Sequence, residues 1–231
     1  MKISSLLCLP LVAATSSTVQ AAAPSWYPGA ESTHQVFRFT TNADPSPASL
    51  DVNPHGNPTA DITLGRFAAG WQDPTVGFAL AGPVTPGAPG NPRDGAWELG
   101  ISGTITTTIP FTSAPSFLDV QFHVTSVYFQ DLSQPPIFST PGFTPVGLAQ
   151  TTVFIEDDGL GDGWFERTWS GTFIGVTASQ IPFHLTSAPS GSFIADYQIY
   201  TNAVPEPSLL GLASLAGLLA LRRRRVCALA E

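Results

Sequence analysis

The amino-acid sequence predicts an all-β protein, a single antiparallel β-sandwich with a jelly-roll-like topology, between an N-terminal signal peptide and one C-terminal hydrophobic helix. The 231-residue chain contains 21 glycines and 22 prolines, and 43% of its residues are hydrophobic. This composition argues against a helical bundle and against a disordered acidic chain. Apolar and polar residues also alternate over several stretches, as they do in strands with one buried and one solvated face.

The clearest predicted strand covers residues 117–129, where Leu118, Val120 and Phe122 alternate with polar residues. The same alternation predicts further strands at residues 35–41, 61–67, 76–81, 97–109, 151–156, 164–174 and 193–201. Segments rich in glycine and proline separate these strands, and no internal repeat is visible. Short strands joined by such turns favour one sandwich domain over residues 24–201.

The first 23 residues have the three parts of a secretory signal peptide. Lys2 supplies the positive charge, an apolar run follows at residues 6–14, and small residues precede two cleavage points, after Ala21 and after Ala23. We therefore expect residues 1–23 to be removed on export.

The charge and cysteine content of residues 24–203 exclude several functions. This stretch has 15 acidic residues and four arginines, a net charge of −11. Such a surface does not bind a phosphate backbone, so no nucleic-acid partner is expected. The two cysteines, Cys8 and Cys227, lie outside the stretch. The domain must therefore be stable without disulfides, and a cysteine nucleophile is excluded.

Residues 202–225 contain a sorting-type pattern of three parts. They are the tetrapeptide Val204, Pro205, Glu206 and Pro207, an uncharged run at residues 208–221, and the block Arg222, Arg223, Arg224 and Arg225. The run of 14 residues is shorter than the roughly 20 that a membrane helix prefers, but snorkelling arginines can extend it. The positive-inside rule then keeps the arginines and a tail at residues 226–231 in the cytoplasm, with residues 24–203 outside.

Residues 204–225 resemble a PEP-CTERM sorting signal, which consists of a Pro-Glu-Pro tripeptide, a short hydrophobic helix and an arginine-rich stop. The resemblance implies a bacterial export that an exosortase, a membrane-embedded cysteine transpeptidase, cleaves near the tripeptide. Many such proteins come from organisms that make extracellular polysaccharide. The same kind of tail is also named after the C-terminal domain of ice-binding proteins, a name that does not indicate an activity. The extension at residues 226–231 departs from the pattern.

An acidic, glycine-rich stretch contains Asp157, Asp158 and Asp162. Flexible loops with several carboxylates can bind calcium. The spacing does not fit an EF-hand, because the third position from Asp158 is Leu160 and the twelfth is Trp169. We favour a polar hairpin loop, in which glycine and aspartate supply the turn geometry, with an irregular calcium site at the three aspartates as the alternative. No other cofactor is expected.

Trp164 and Trp169 are five residues apart, which places them on opposite faces of a regular strand and leaves one of them outside the core. The outward tryptophan, close to Asp157 and Asp158, is predicted to line a loop that contacts carbohydrate. Burial in the core is the commoner role of tryptophan in a sandwich, and it stays as the alternative.

No familiar catalytic constellation is present in the sequence. It has no Gly-x-Ser-x-Gly elbow, no His-Glu-x-x-His and no P-loop. The four histidines, His34, His55, His123 and His184, lack metal-ligand spacing and are predicted to lie at the surface. A pair of carboxylates for glycoside hydrolysis leaves no sequence motif, so such a pair stays unassigned.

Three functions are compatible with these features. The first is an exported, exosortase-sorted protein of the cell surface or extracellular matrix, without catalytic activity. Its expected partners are an exosortase-type processing enzyme and the membrane, which it contacts through the C-terminal helix. The second is a carbohydrate-binding sandwich that acts on extracellular polysaccharide. The third is a secreted glycoside-type hydrolase with two unassigned carboxylates.

Overall fold

The computed structural model describes residues 22–29, 31–72, 95–112, 117–130, 134–157 and 163–205. These residues form β-strands and no helix, which confirms the all-β prediction for this part of the chain. The strands are β1 (Ser32–Arg38), β2 (Ser46–Pro47), β3 (Leu50–Val52), β4 (Thr59–Thr63), β5 (Gly70–Gln72), β6 (Ala96–Glu98), β7 (Thr104–Pro110), β8 (Leu118–Gln130), β9 (Ile137–Ser139), β10 (Val146–Asp157), β11 (Gly163–Val176), β12 (Gln180–Thr186) and β13 (Phe193–Pro205).

These strands form two antiparallel sheets. The larger sheet has the order β10-β11-β8-β13-β1-β3, and β6 also pairs with β13 while β5 pairs with β6. The smaller sheet has the order β2-β4-β7-β12-β9. The long central strands β8, β11 and β13 lie side by side in the larger sheet, so they position most of its side chains.

One apolar core includes residues from both sheets. On β12, Ile181, Phe183 and Leu185 are buried and alternate with more exposed residues. The ring of Phe183 is 5.9 Å from that of Phe122 on β8, measured between centroids. Period-two alternation turns these apolar side chains to one face of each sheet. The two sheets therefore pack through their apolar faces, in agreement with the predicted sandwich.

The predicted strand at residues 97–109 is two strands in different sheets. β6 belongs to the larger sheet and β7 to the smaller one. Gly100 (φ 64°) and Ser102 (φ 60°) reverse the chain between them. A Cβ atom on Gly103 would lie 2.1 Å from the carbonyl oxygen of Leu99, so only glycine fits this close turn. The apolar alternation continues across the turn, which is why the sequence reads as one strand.

Several strands lie outside the predicted set. β12 is the longest of them, although Ile181, Phe183 and Leu185 carry the alternating pattern. The short strands β2, β3, β5 and β9 have two or three residues each, too few to show a period. The predicted strand at residues 76–81 lies outside the described residues.

The last strand is longer than predicted and extends past residue 201, where the sandwich domain was expected to end. β13 continues to Pro205, and its final residues stay paired with β8, with Ala203 opposite Val120 and Pro205 opposite Leu118. Ala203 is buried. Residues 202–205 therefore belong to the folded domain, because the apolar side chain of Ala203 extends the core beyond the expected boundary.

The predicted signal peptide up to Ala21 and the predicted hydrophobic helix at residues 208–221 lie outside the described residues. Within the ranges that the structure describes, no helix is long and apolar enough to cross a membrane.

Candidate functional site

The larger sheet has an outer face, turned away from the smaller sheet, that carries the buried titratable residues His34 and Asp196. Because Tyr197 and Ile199 of β13 belong to the shared core, the residues that alternate with them point outward. The same alternation applies to β1, β8 and β11. The outer face thus includes His34, His123, Thr125, Val127, Glu166, Asp196, Gln198 and Tyr200.

Strand register places two carboxyl groups in one row across this face. Asp196 is paired with Val127 of β8, and Val127 is paired on its other side with Glu166 of β11. Adjacent strands are about 4.8 Å apart, so the two backbones are separated by roughly 10 Å. Arg38 of β1 continues the row beyond Asp196.

Asp196 is only 6% exposed. Burial raises its pKa to about 6, and the positive charge of Arg38 and a hydrogen bond with Gln198 oppose that rise. The negative charge of Glu166 adds to it. Arg38 Nε lies 3.7 Å from Asp196 Oδ2, while Oδ1 has no hydrogen-bond partner in the part of the chain that the structure describes.

Glu166 has the same kind of perturbation. Its side chain is half-buried, and burial raises the pKa of its carboxyl group. Two carboxyl groups with raised pKa values in one row are an arrangement that general acid–base chemistry uses. A cleft of about 440 Å³ opens beside Arg38 between β1 and β2, but neither Asp196 nor Glu166 lines it.

An aromatic cluster lies beside the carboxyl row. The rings of His34 and Tyr200 are stacked, with centroids 3.9 Å apart. Tyr27 and His123 contact Tyr200 edge-on, at 5.1 Å and 6.0 Å. Burial lowers the pKa of His34 and of His123, so both imidazoles are neutral at pH 7.

The prediction of a surface position is wrong for His34. Its side chain is buried under the stack with Tyr200, although its sequence position on the polar side of β1 suggested exposure. The reason is that the outer face of the larger sheet is itself largely buried. His55, His123 and His184 are partly exposed.

The two tryptophans lie on opposite faces of β11 as expected, but the prediction that one of them is exposed is wrong. Trp169 lies in the shared core, with its ring 5.3 Å from that of Phe138. Trp164 belongs to a second apolar cluster on the outer face, 5.4 Å from Phe129. Both are buried, because apolar side chains cover both faces of the strand. Neither offers a platform for a sugar ring.

β10 and β11, the strands on either side of the acidic stretch, are paired antiparallel to each other, as the strands of a hairpin are. β10 ends at Asp157, which is paired with Gly163 at the start of β11. Asp158 and Asp162 lie outside the described residues. Among the residues that are described, no three histidine, cysteine, aspartate or glutamate side chains group as metal ligands would. The calcium site stays a prediction.

The sorting residues lie at the limit of the described fold. Val204 and Pro205 are the last two residues of β13, and Ala23 is an exposed residue ahead of β1. The remaining predicted residues lie outside the described ranges, namely Ala21, Glu206, Pro207, Arg222, Arg223, Arg224 and Arg225.

The sequence contains one signal that could have indicated the carboxyl row. Asp196 interrupts the otherwise uncharged segment 193–205, and an acid within a strand-forming apolar run is seldom buried without a specific role. Glu166 has no comparable signal. Comparison with known proteins finds no match to this chain among protein-family models, curated proteins or solved structures.

Proposed function

We propose that the chain is an exported protein of the cell surface or extracellular matrix, without catalytic activity, that is sorted through its C-terminal segment. In this proposal residues 24–205 form a β-sandwich of jelly-roll-like topology outside the cytoplasm. The observation that carries it is the position of Pro205 at the end of β13. The folded domain continues directly into the Pro-Glu-Pro tripeptide, so the sorting segment follows the sheet without an intervening linker.

The order of the sequence segments supports the same proposal. A signal peptide, a domain without cysteine, the tripeptide, an apolar run and four arginines follow one another, which is the order that export and membrane retention require. The partners in this proposal are an exosortase-type enzyme, the membrane and extracellular polysaccharide. The acidic domain has little attraction for an anionic membrane surface.

Intact-mass measurement on the protein from its native cells, by cell fraction, tests this function. We expect a species that begins at Ala22 or Pro24 and ends near Pro205, Glu206 or Pro207. A variant with Pro205 and Pro207 replaced by alanine should keep the membrane-bound precursor mass. A single species that keeps Arg222–Arg225 in the membrane would contradict sorting, and a species that keeps Met1 in the cytoplasm would contradict export.

A second candidate function, a glycoside-type hydrolase, draws support from the carboxyl row. A buried acid with a pKa of about 6 at Asp196 is suited to protonate a leaving-group oxygen, and Glu166 in the same row is suited to activate water. Asp196 and Glu166 lie on either side of Val127 in that row, and an inverting enzyme uses two carboxyl groups on opposite sides of the bond that it cleaves.

This candidate is tested by release of reducing ends from a panel of polysaccharides. Asp196→Asn and Glu166→Gln should each abolish release, and Asp61→Asn, on an exposed residue of β4, should not. Absence of release by the wild-type protein would remove the candidate. The carbohydrate-binding alternative has lost the tryptophan platform on which it depended, since Trp164 and Trp169 are buried.

A further inference from the structure

β10 is an unusually open edge of the larger sheet. It has 12 residues and, among the residues that the structure describes, it is paired on one side only, with β11. Four of its apolar side chains are exposed, namely Val146 (61%), Leu148 (51%), Val153 (54%) and Phe154 (53%). A long edge strand with exposed apolar side chains readily pairs with another strand.

The edges at the other ends of the two sheets are protected. β3 has three residues with Asp51 in the middle, and β2 has two residues, one of them Pro47. β9 has only three residues. Short edges, charges and proline are the usual means of preventing strand addition. β10 has none of them between Val146 and Ile155, where every residue is uncharged and none is proline.

Both faces of β10 are accessible beside its regular central part. The pairing with β11 is unbroken from Ala149 to Phe154, and irregularities flank it on each side. Val153 is paired with Glu166 of the outer face, while the ring of Phe154 lies 5.2 Å from that of Phe165 on the core side. A strand added along this part would cover apolar surface on both faces of the sheet.

We propose that a second copy of this chain occupies the edge, with β10 of each copy paired antiparallel about a two-fold axis. The inference goes beyond the proposed function and does not depend on it. A two-fold axis through the pair of Thr151 residues would place Val153 opposite Ala149 of the other copy and Thr152 opposite Gln150, with each pair on one face of the joint sheet. Both copies would then contribute the same apolar and uncharged surface, as an isologous interface requires.

The acidic residues at the end of β10 favour antiparallel over parallel pairing of the two copies. A parallel pair would set Glu156 and Asp157 of the two copies at adjacent positions about 4.8 Å apart, where like charges repel. In the antiparallel pair the two acidic ends of the strands lie at opposite ends of the interface, roughly 30 Å from each other. The uncharged residues 146–155 also let two acidic domains approach without a like-charge contact along this part of the edge.

The length of β10 favours pairing with β10 of a second copy over pairing with β3, the strand at the other edge of the larger sheet. Pairing of β10 with β3 of a neighbouring chain would use only three residues of β3 and would leave most of β10 uncovered. It would also bury Asp51 against an apolar strand. Pairing of β10 with itself uses the full regular segment and closes the assembly as a dimer.

The first test is the molar mass of the full-length protein, purified in detergent and corrected for bound detergent. We expect twice the mass of one chain. Val153→Lys should raise the dissociation constant at least tenfold, because it places a charge on the edge. Ile174→Lys, at a residue of β11 that is 58% exposed but not on the edge strand, is the matched control and should leave the dimer intact.

The second test does not require the protein to fold with a lysine at position 153. In a chain with Cys8→Ser and Cys227→Ser, Thr151→Cys should give a disulfide-linked dimer on mild oxidation, since the two Thr151 residues face each other at the axis. Thr63→Cys, on an exposed residue of β4, should not.

Four results would overturn the proposal. They are a monomeric wild-type protein at about 100 μM, a dimer that persists in Val153→Lys, a dimer with no Thr151→Cys cross-link, and an open-ended assembly in place of a closed pair. A monomer would mean that the edge is free or takes a strand from a different protein.

Discussion

The imidazole ring of His34 lies flat against the phenol ring of Tyr200, with centroids 3.9 Å apart and ring planes 6° from parallel. The two residues are directly opposite each other on β1 and β13, so the stack spans two neighbouring strands of the larger sheet. It requires a neutral imidazole, because burial disfavours the charged form of His34.

His34 should make the domain sensitive to acid. Its folded-state pKa is lowered from 6.5, first by burial. The stability that the neutral ring contributes is therefore complete above pH 6.5 and is lost as the pH falls through the folded-state pKa. His34→Gln should lose less stability than the wild-type protein between about pH 7 and pH 5, measured as urea midpoints. If His184→Gln, at a histidine outside the stack, reduced the loss of stability between pH 7 and pH 5 by the same amount, this explanation would be contradicted.

Asp196 should have the opposite pH dependence. Its folded-state pKa is raised from 3.8 to about 6. Its favourable contribution is therefore complete below pH 3.8 and is lost as the pH rises through 6. The shift corresponds to about 3 kcal/mol. Asp196→Asn should gain that much stability relative to wild type between low pH and pH 7, as measured by denaturant unfolding.

Asp61→Asn is the control for this prediction, because Asp61 is exposed on β4. The gain for Asp196→Asn is expected to exceed any change in Asp61→Asn, because burial of the carboxyl group causes the gain and the amide substitution alone does not. No pH-dependent gain for Asp196→Asn would show that Arg38, 3.7 Å away, fully compensates the burial of the carboxylate.

Trp164 and Trp169 should act as core residues. Replacing either by alanine is expected to lower the free energy of unfolding by about 3–5 kcal/mol, because each leaves a large cavity. The emission that Trp164→Phe or Trp169→Phe removes from this chain of five tryptophans should be a component that iodide quenches weakly in the folded protein. Efficient quenching, or a change in emission on adding polysaccharide without a change in fold, would contradict the buried positions.

The last residues of β13 should be needed for full stability. A chain of residues 24–201 loses the pairing of Ala203 with Val120 and the hydrogen bond from Asn202 to Gln121. Each lost hydrogen bond costs about 1 kcal/mol, in addition to the lost burial of Ala203. We expect the melting temperature to fall relative to a chain of residues 24–205. Equal melting temperatures would show that the strand end is dispensable.

The long strands of the larger sheet were predictable from the sequence, and its short edge strands were not. Alternation along residues 117–129 identifies β8 because one face is core. The segment 97–109 alternates equally well, but the positive φ angles of Gly100 and Ser102 divide it between two sheets. Alternation specifies the face of a side chain and carries no information on which sheet contains it.

The candidate site was less predictable than the fold. A polar face on a strand of an antiparallel sheet usually means solvent, so His34 and one of the two tryptophans Trp164 and Trp169 were expected to be exposed. In the structure a second apolar cluster, which includes Val127 and Phe129, lies on that same face. Both faces of the larger sheet are buried because residues distant in sequence contact each other. The pattern of apolar and polar residues along a single strand contains no information on such contacts.

The direction of β13 has a mechanical consequence for a domain held by its C-terminus. A load applied beyond Pro205 pulls along the strand, and β8 is bonded to it from Phe193 to Pro205. β1 is bonded on the other side over residues 196–202. These ladders are loaded in shear, so many hydrogen bonds resist together instead of opening one after another. A domain tethered in this way would withstand drag from flowing fluid better than one attached through an edge strand.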